Sequence, residues 1–493
     1  MTVSRQWLCE ASALELAGAL ERAEVTSVEI LEALLERINE IDVPGTEVAL
    51  RSVLAIASDA HAQARQADDE RARGLVRSPL HGVPILIKDN IEAVGLPASA
   101  GSTALLGRPV RNDAPLVTRL RDAGLVIFGA TNLSQWANMR SPRSTSGWSA
   151  VGGLTANPFA LDRSAGGSSS GSGAALAARL TPLAIGTETD GSITCPASLN
   201  GVTGLKPAVG TVSTSGVVPI AASQDSPGPM ARNVLDTAAL YGVLTGADEV
   251  LERVALGAHG ARIGVATNLL TGDPGTDSLF HDVIARARRQ GFVTEEVIVT
   301  PADAQVGNDE VTVLVSEMAD DLSAFLARRG GVGPSSLAEV IAFEDEHAEV
   351  ELAYFGHEFF ERAQASGGRA SEAYRTARER NLAWALDQCL EPALAQLDCF
   401  VAPCYSPAWK NDLVLGGSGS ARWSEVTQAP AIAGWPLATV PMGLVDGLPV
   451  GLSIVGRPGS EVTLLAVAFE FETMLGLIDT DALVPHFTPP ARG

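Results

Sequence analysis

Leu31, Leu34, Leu35, Ile38 and Ile41 recur at helical spacing, with Glu32, Glu36 and Arg37 between them. That is the pattern of an amphipathic helix. Upstream, Ser12 and Glu15 form a candidate capping box for an earlier helix. A second polar helix is predicted over 53–73, so residues 1–75 read as helical. The pattern then changes. Residues 79–232 are rich in Gly, Ser, Pro and Thr, with short apolar runs. Two of these, 83–87 and 125–128, read as buried strands, and 119–124 as the end of a helix feeding the second. Residues 235–244 return to helical spacing. Beyond them, 262–267 and 293–300 read as strands around a helix near 281–290.

Residues 309–329, 336–365 and 370–396 are long helical patterns carrying many of the acidic residues. The stretch 300–396 is therefore a helix-rich candidate cover for a site, although most of its charges read as a solvated shell. Residues 400–403 end a strand. Residues 438–441 and 450–455 suggest a hairpin around Asp446-Gly447, followed by a helix over 462–475. The Gly/Ser-rich stretch 410–425 reads as a mobile loop. Strands and helices alternate at both ends and there is no internal repeat. The expectation is one α/β domain spanning 1–493, with a mixed sheet.

Composition narrows the functions. Acidic residues outnumber basic ones by 58 to 35, a formal charge of −23. Such a surface repels phosphate backbones and anionic lipid, so neither nucleic acid nor a membrane is expected as a partner. The first ten residues lack a secretory pattern, and no uninterrupted apolar run reaches about 18 residues. Five cysteines, an odd number, fit reduced thiols in a cytoplasmic protein. Of the 35 basic residues only three are lysine: Lys88, Lys206 and Lys410. Lysine, unlike arginine, can lose its proton near neutrality when desolvated, so each lysine in so biased a chain is worth weighing. Codon bias is the plain alternative, and Lys410 takes it.

Candidate chemistry concentrates in 164–193. The run Ser164-Ala165-Gly166-Gly167-Ser168-Ser169-Ser170-Gly171-Ser172-Gly173 precedes a small apolar helix. It reads as a linker, a phosphate cradle or a catalytic turn. Apolar flanks argue against a linker. A dinucleotide fingerprint would need its third glycine where Leu176 stands. Next, a strand-like 183–185 runs into Thr187-Glu188-Thr189-Asp190-Gly191-Ser192. This suits a nucleophile on a tight turn whose backbone N–H groups converge on one point. None of the seven histidines lies in a triad-like context, and His347 and His357 are too far apart for a zinc-peptidase motif. That leaves Lys88, at the end of 83–87. It reads either as a desolvated base or as a strand-end lysine paired with Asp89.

With these residues in view, the chain resembles the amidase signature family. The blocks that carry the likeness are His81-Gly82-Val83-Pro84 through Lys88-Asp89-Asn90, Gly166-Gly167-Ser168-Ser169, 187–193, and Gly204-Leu205-Lys206-Pro207. They run in the family's order, and the likeness spans nearly the whole chain. It implies an amidase signature fold, a large mixed sheet covered by helices on both faces. It also implies a Ser–cis-Ser–Lys triad without metal or cofactor: Ser192 as nucleophile, Ser168 in a cis peptide bond, Lys88 as base. The backbone amides of Thr189, Asp190, Gly191 and Ser192 would form the oxyanion hole. Ser169 would orient the triad, and Ala137 and Asn138 would touch substrate. Ser164-Ala165 stands where the family commonly has proline, a departure at the entry to the turn. Lys206 reads as structural, and Cys195 as a buried small residue rather than a second nucleophile.

Within the family, 131–138, 146–150, 186–193, 224–232 and 440–443 resemble peptide amidases, which remove ammonia from C-terminal carboxamides. The expected partner is a small-molecule or peptide amide, and the expected state a monomer or homodimer. Alternatives are hydrolysis of aryl or acyl amides or carbamates, the amidase-like component of a tRNA-dependent amidotransferase, and a non-catalytic binding protein. The charge of −23 argues against direct RNA contact, and the joint presence of Lys88, Ser168 and Ser192 against the last.

Overall fold

The structure is a computed structural model that describes residues 3–414, 422, 424–478 and 480–489. Half of the Gly/Ser-rich stretch 410–425 expected to be a mobile loop, residues 415–421 and 423, lies outside the described residues.

Among the described residues thirteen strands form. They are β1 (Val53–Ile56), β2 (Pro84–Lys88), β3 (Val126–Thr131), β4 (Trp148–Ser149), β5 (Gly153–Leu154), β6 (Leu183–Glu188) and β7 (Thr203–Lys206). Then come β8 (Ser226–Ala231), β9 (Arg262–Ala266), β10 (Val293–Val297), β11 (Cys399–Pro403), β12 (Leu437–Val445) and β13 (Leu448–Gly456). Eleven build one mixed sheet in the order β1-β3-β2-β6-β8-β7-β12-β13-β11-β9-β10, and β4 pairs with β5 apart from it. Helices cover both faces, as in the amidase signature fold. Strands β2, β3 and β6 run parallel side by side, so Lys88, Thr131 and Glu188 all end at the same edge. Open sheets bind ligands outside the carboxyl ends of their strands. Burial on both faces explains why these strands read as continuous apolar runs.

Several elements form as their residues dictate. Ser12 and Glu15 make the reciprocal capping box of helix Ala13–Glu21. The amphipathic pattern becomes helix Ser27–Ile41, itself boxed by Thr26 and Glu29. Strands β12 and β13 form the hairpin, with Asp446 and Gly447 both at positive φ, as a tight two-residue turn demands.

Two expectations fail for physical reasons. The helix predicted over 53–73 begins only at Ala60, and Val53–Ile56 is strand β1. The Asp42 carboxylate accepts the Ser52 and Val53 amides (2.8 and 2.9 Å), and the chain then pairs with β3. The pattern over 370–396 is not one α-helix: it passes from α (Glu372–Leu382) through a π-helical stretch (Ala383–Leu390) to a last turn. Pro392 has no N–H to give the carbonyl four residues back, and the Thr300 hydroxyl donates to that Gln388 carbonyl instead (2.8 Å). Most carboxylates of the acidic helices are not buried, as expected of a solvated shell, but five are. Asp309, Glu310, Glu317, Glu344 and Glu351 are buried, which a carboxylate tolerates only with donors around it.

Candidate active site

Lys88 is fully buried at the end of β2. Its Nζ donates to the Thr187 carbonyl (3.1 Å) and the Thr187 hydroxyl (2.9 Å), and lies 2.7 Å from Ser168 Oγ. All three partners are neutral oxygens. Asp89, the alternative partner, instead accepts from the Ser99 hydroxyl and backbone amide. Burial pushes the Lys88 amine down to about 7, with the more distant Glu188 and Asp225 carboxylates working against that fall. At neutral pH much of it is therefore an uncharged amine. Such an amine has two N–H groups and one lone pair, which matches two acceptors on Thr187 and one hydroxyl on Ser168.

Ser168 sits in the turn before helix Ser170–Ala177, and the Gly167–Ser168 peptide bond is cis. Its carbonyl accepts the Ser134 amide (3.1 Å). Gly166 has φ +71°, and a Cβ there would stand 3.0 Å from both Cys195 Sγ and Pro196 Cα. The Gly-Gly pair thus marks a place where two backbones touch, which neither a linker nor a phosphate cradle requires. Cys195 fills that contact, and burial raises its thiol far above the usual range, so it stays protonated. The Ser169 amide donates to the Ser192 carbonyl (3.0 Å), and its hydroxyl bridges Thr187 N and O at 3.2 Å each. Ser169 therefore ties the cis-serine turn to both β6 and the Ser192 turn.

Beyond β6 the chain turns through Thr189-Asp190-Gly191-Ser192 into helix Thr194–Asn200. The Glu188 carboxylate accepts the Ile193 and Thr194 amides (2.7 and 2.8 Å), fixing the exit. Asp225 accepts the Thr189 hydroxyl (2.6 Å), fixing the entry. Gly191 has φ +75°, and a Cβ there would come within 2.8 Å of Tyr405 Oη. Among the described residues, no protein acceptor takes the amides of Asp190, Gly191 or Ser192. Burial, with Glu310 close by, pushes the Asp190 carboxyl well above the usual carboxylate range.

This turn opens onto a cavity of about 480 Å³, lined by Ser192, Thr189, Asp190, Gly167, Ala137 and Asn138 among others. Lys88 and Ser168 lie beneath its wall. The remaining lining comes from far along the chain: Asp303 and Leu314 from the acidic helical stretch, and Tyr405, Trp409, Glu425, Thr427 and Gln428 from the C-terminal part. None of these was singled out from the sequence, because each meets the turn only through the fold and none belongs to a motif. Lys206, on β7, donates to the Trp435 carbonyl (2.7 Å) and is fully buried outside the lining. Among the described residues no group of three or more His, Cys, Asp or Glu is placed to hold a metal ion.

The wall at Ala137 and Asn138 has unusual backbone. Trp136, Ala137 and Asn138 have φ of 49°, 52° and 70° in succession. Left-handed backbone costs a non-glycine residue about 1–2 kcal/mol, so three in a row persist only where surroundings hold them.

The family model for amidases matches residues 29–465. The chain belongs to the amidase signature family. It is similar to the crystal structure of peptide amidase from Stenotrophomonas maltophilia, with 41% identity and a TM-score of 0.88, covering 94% of this chain and 96% of that one. It is also similar to a probable amidase of Arabidopsis thaliana (35% identity, 94% of this chain and 90% of the relative). A component of the glutamyl-tRNA(Gln) amidotransferase of Symbiobacterium thermophilum is 34% identical over 94% of this chain and 96% of its own length. As an amidase, this protein hydrolyses amide C–N bonds.

Proposed function

We propose that this amidase removes ammonia from the C-terminal carboxamide of peptides, using Lys88, Ser168 and Ser192 as a proton relay. One observation carries the relay: the buried Lys88 amine meets only neutral oxygens and stands 2.7 Å from Ser168 Oγ, beneath a cavity that Ser192 lines. The neutral amine takes the Ser168 proton while Ser168 takes that of Ser192, and Ser192 Oγ bonds to the amide carbon. The amides of the 189–192 turn receive the oxyanion. The proton on Lys88 returns through the serines to the leaving nitrogen, the C–N bond breaks, and ammonia departs. Water then attacks the acyl-enzyme by the same relay, and the peptide acid leaves. Ser169 orients the turn, and Ala137 and Asn138 form part of the substrate wall.

The carboxamide reading rests on the 41% identity to a peptide amidase over nearly the full length of both chains. The five cysteines are free and buried, which suits a cytoplasmic enzyme. The test is ammonia release from C-terminally amidated peptides, free amino-acid amides and anilides, without ATP or tRNA. The proposal expects amidated peptides to be turned over fastest, and Ser192→Ala to abolish turnover of every substrate while unfolding at the wild-type temperature. Faster anilide turnover would move the substrate to aryl amides. Turnover that requires a tRNA partner would favour the amidotransferase reading suggested by the 34% relative.

A further inference from the structure

The left-handed wall Trp136-Ala137-Asn138 is held from outside its own loop. Within the loop Ala137 N donates to Ser134 O (2.8 Å), and from a separate loop the Ala100 carbonyl accepts the Trp136 amide (2.9 Å). The acidic helical stretch supplies two further attachments. The Trp136 indole N–H donates to Glu344 Oε1 at 2.9 Å, and the Gln135 carboxamide donates to Glu351. Both carboxylates are fully buried and hydrogen-bonded on other sides too. Glu344 accepts from His357 Nδ1 (2.9 Å) and lies 3.9 Å from Arg140 Nη1. Glu351 accepts the Thr103 amide (2.8 Å) and the Ser102 hydroxyl (3.0 Å). Phe360, from the next helix, meets the Trp136 ring edge-on with centroids 5.5 Å apart. A fully buried carboxylate with several donors is a rigid anchor, because moving any donor leaves charge unsolvated.

We propose that Glu344 and Glu351 are positioning residues: through Trp136 and Gln135 they hold the strained wall at Ala137 and Asn138 in the shape that receives substrate. The stretch 337–351 then contributes to substrate binding from more than 200 residues away in sequence, without lining the cavity. Released from these anchors, the turn relaxes toward right-handed backbone, which moves Ala137 and Asn138 against the cavity. The Ser192 turn and Lys88 lie on other elements and stay in place. The expected signature is therefore weaker substrate binding with little change in chemistry. This kinetic consequence rests on the amidase reading above; the anchoring itself does not.

The test compares Trp136→Phe, which keeps the ring on Phe360 and loses the N–H, with Glu344→Gln, which keeps an acceptor. Hydrogen exchange of the 134–139 segment reads the anchoring whether or not a substrate is known. Steady-state kinetics on whichever amide the wild type hydrolyses best read its consequence. Trp136→Phe is expected to exchange faster in that segment and to raise KM about tenfold, with kcat within about twofold. Glu344→Gln, with one acceptor oxygen left for the two donors Trp136 and His357, is expected to move both readouts in the same direction by less. Wild-type exchange in Trp136→Phe overturns the proposal, as does faster exchange with unchanged KM. If the wild type hydrolyses no amide, the functional reading fails while exchange still decides the anchoring.

Discussion

At residue 88 the side chain is chosen for what it can lose. Arginine at this position would keep its proton at any working pH, so Lys88→Arg is expected to be as damaging as Lys88→Ala, each lowering kcat/KM by about 10³-fold or more. A largely active Lys88→Arg enzyme would mean that position 88 supplies charge. On the proposed relay, the same amine sets the acid side of the pH profile. Because burial lowers Lys88 to about 7, kcat/KM should rise with pH through that value and level off above it. Stability follows with the same sign: between about 7 and the ordinary lysine value the unfolded chain binds a proton that the folded chain does not, so this group makes unfolding harder as pH rises. Asp190, pushed above the ordinary carboxylate range beside the turn, places a negative charge there when it ionises. An alkaline fall in kcat/KM is therefore expected, and Asp190→Asn should remove it. A profile measured on both enzymes checks the two limbs.

At the scale of elements, legibility tracked how local the cause was. The lysine strand, the two Gly/Ser turns and the C-terminal hairpin were readable because turn chemistry and apolar runs act within about ten residues. Strand β1 was missed because its identity comes from Asp42 and from pairing with β3, neither visible in 53–56. The π-helical stretch was missed because apolar spacing does not reveal that Pro392 frees a carbonyl or that Thr300 fills the vacancy. That contact yields a prediction separate from catalysis. Thr300→Val should lower stability by about 1 kcal/mol in denaturant unfolding and leave kcat/KM unchanged. A neutral effect on stability would show that the carbonyl finds another donor.

Across the molecule, the sheet brings together what the chain separates. Lys88 Nζ at the end of β2 meets Ser168 Oγ, 80 residues on, at 2.7 Å, and the next residue, Ser169, gives its amide to the Ser192 carbonyl. The cavity's outer lining was not legible, since Asp303, Tyr405, Glu425 and Gln428 meet only through the fold. Their charges set an expectation about substrates. Among the described lining residues, the exposed charged side chains are Asp303 and Glu425, both acids. Peptide amides bearing Lys or Arg near the carboxamide should have lower KM than their Asp or Glu counterparts. Salt should narrow the gap, because exposed charges are screened over about 10 Å at 0.1 M. Equal KM values at low salt would show that the acids lie out of the substrate's reach.

The relay itself is tested most directly by trapping the attacking oxygen. A serine-reactive fluorophosphonate, followed by peptide mapping in a mass spectrometer, should place one adduct on Ser192 and should leave Ser192→Ala and Lys88→Ala unlabelled over the same period. An adduct on another residue, or labelling of Lys88→Ala at the wild-type rate, would contradict the account.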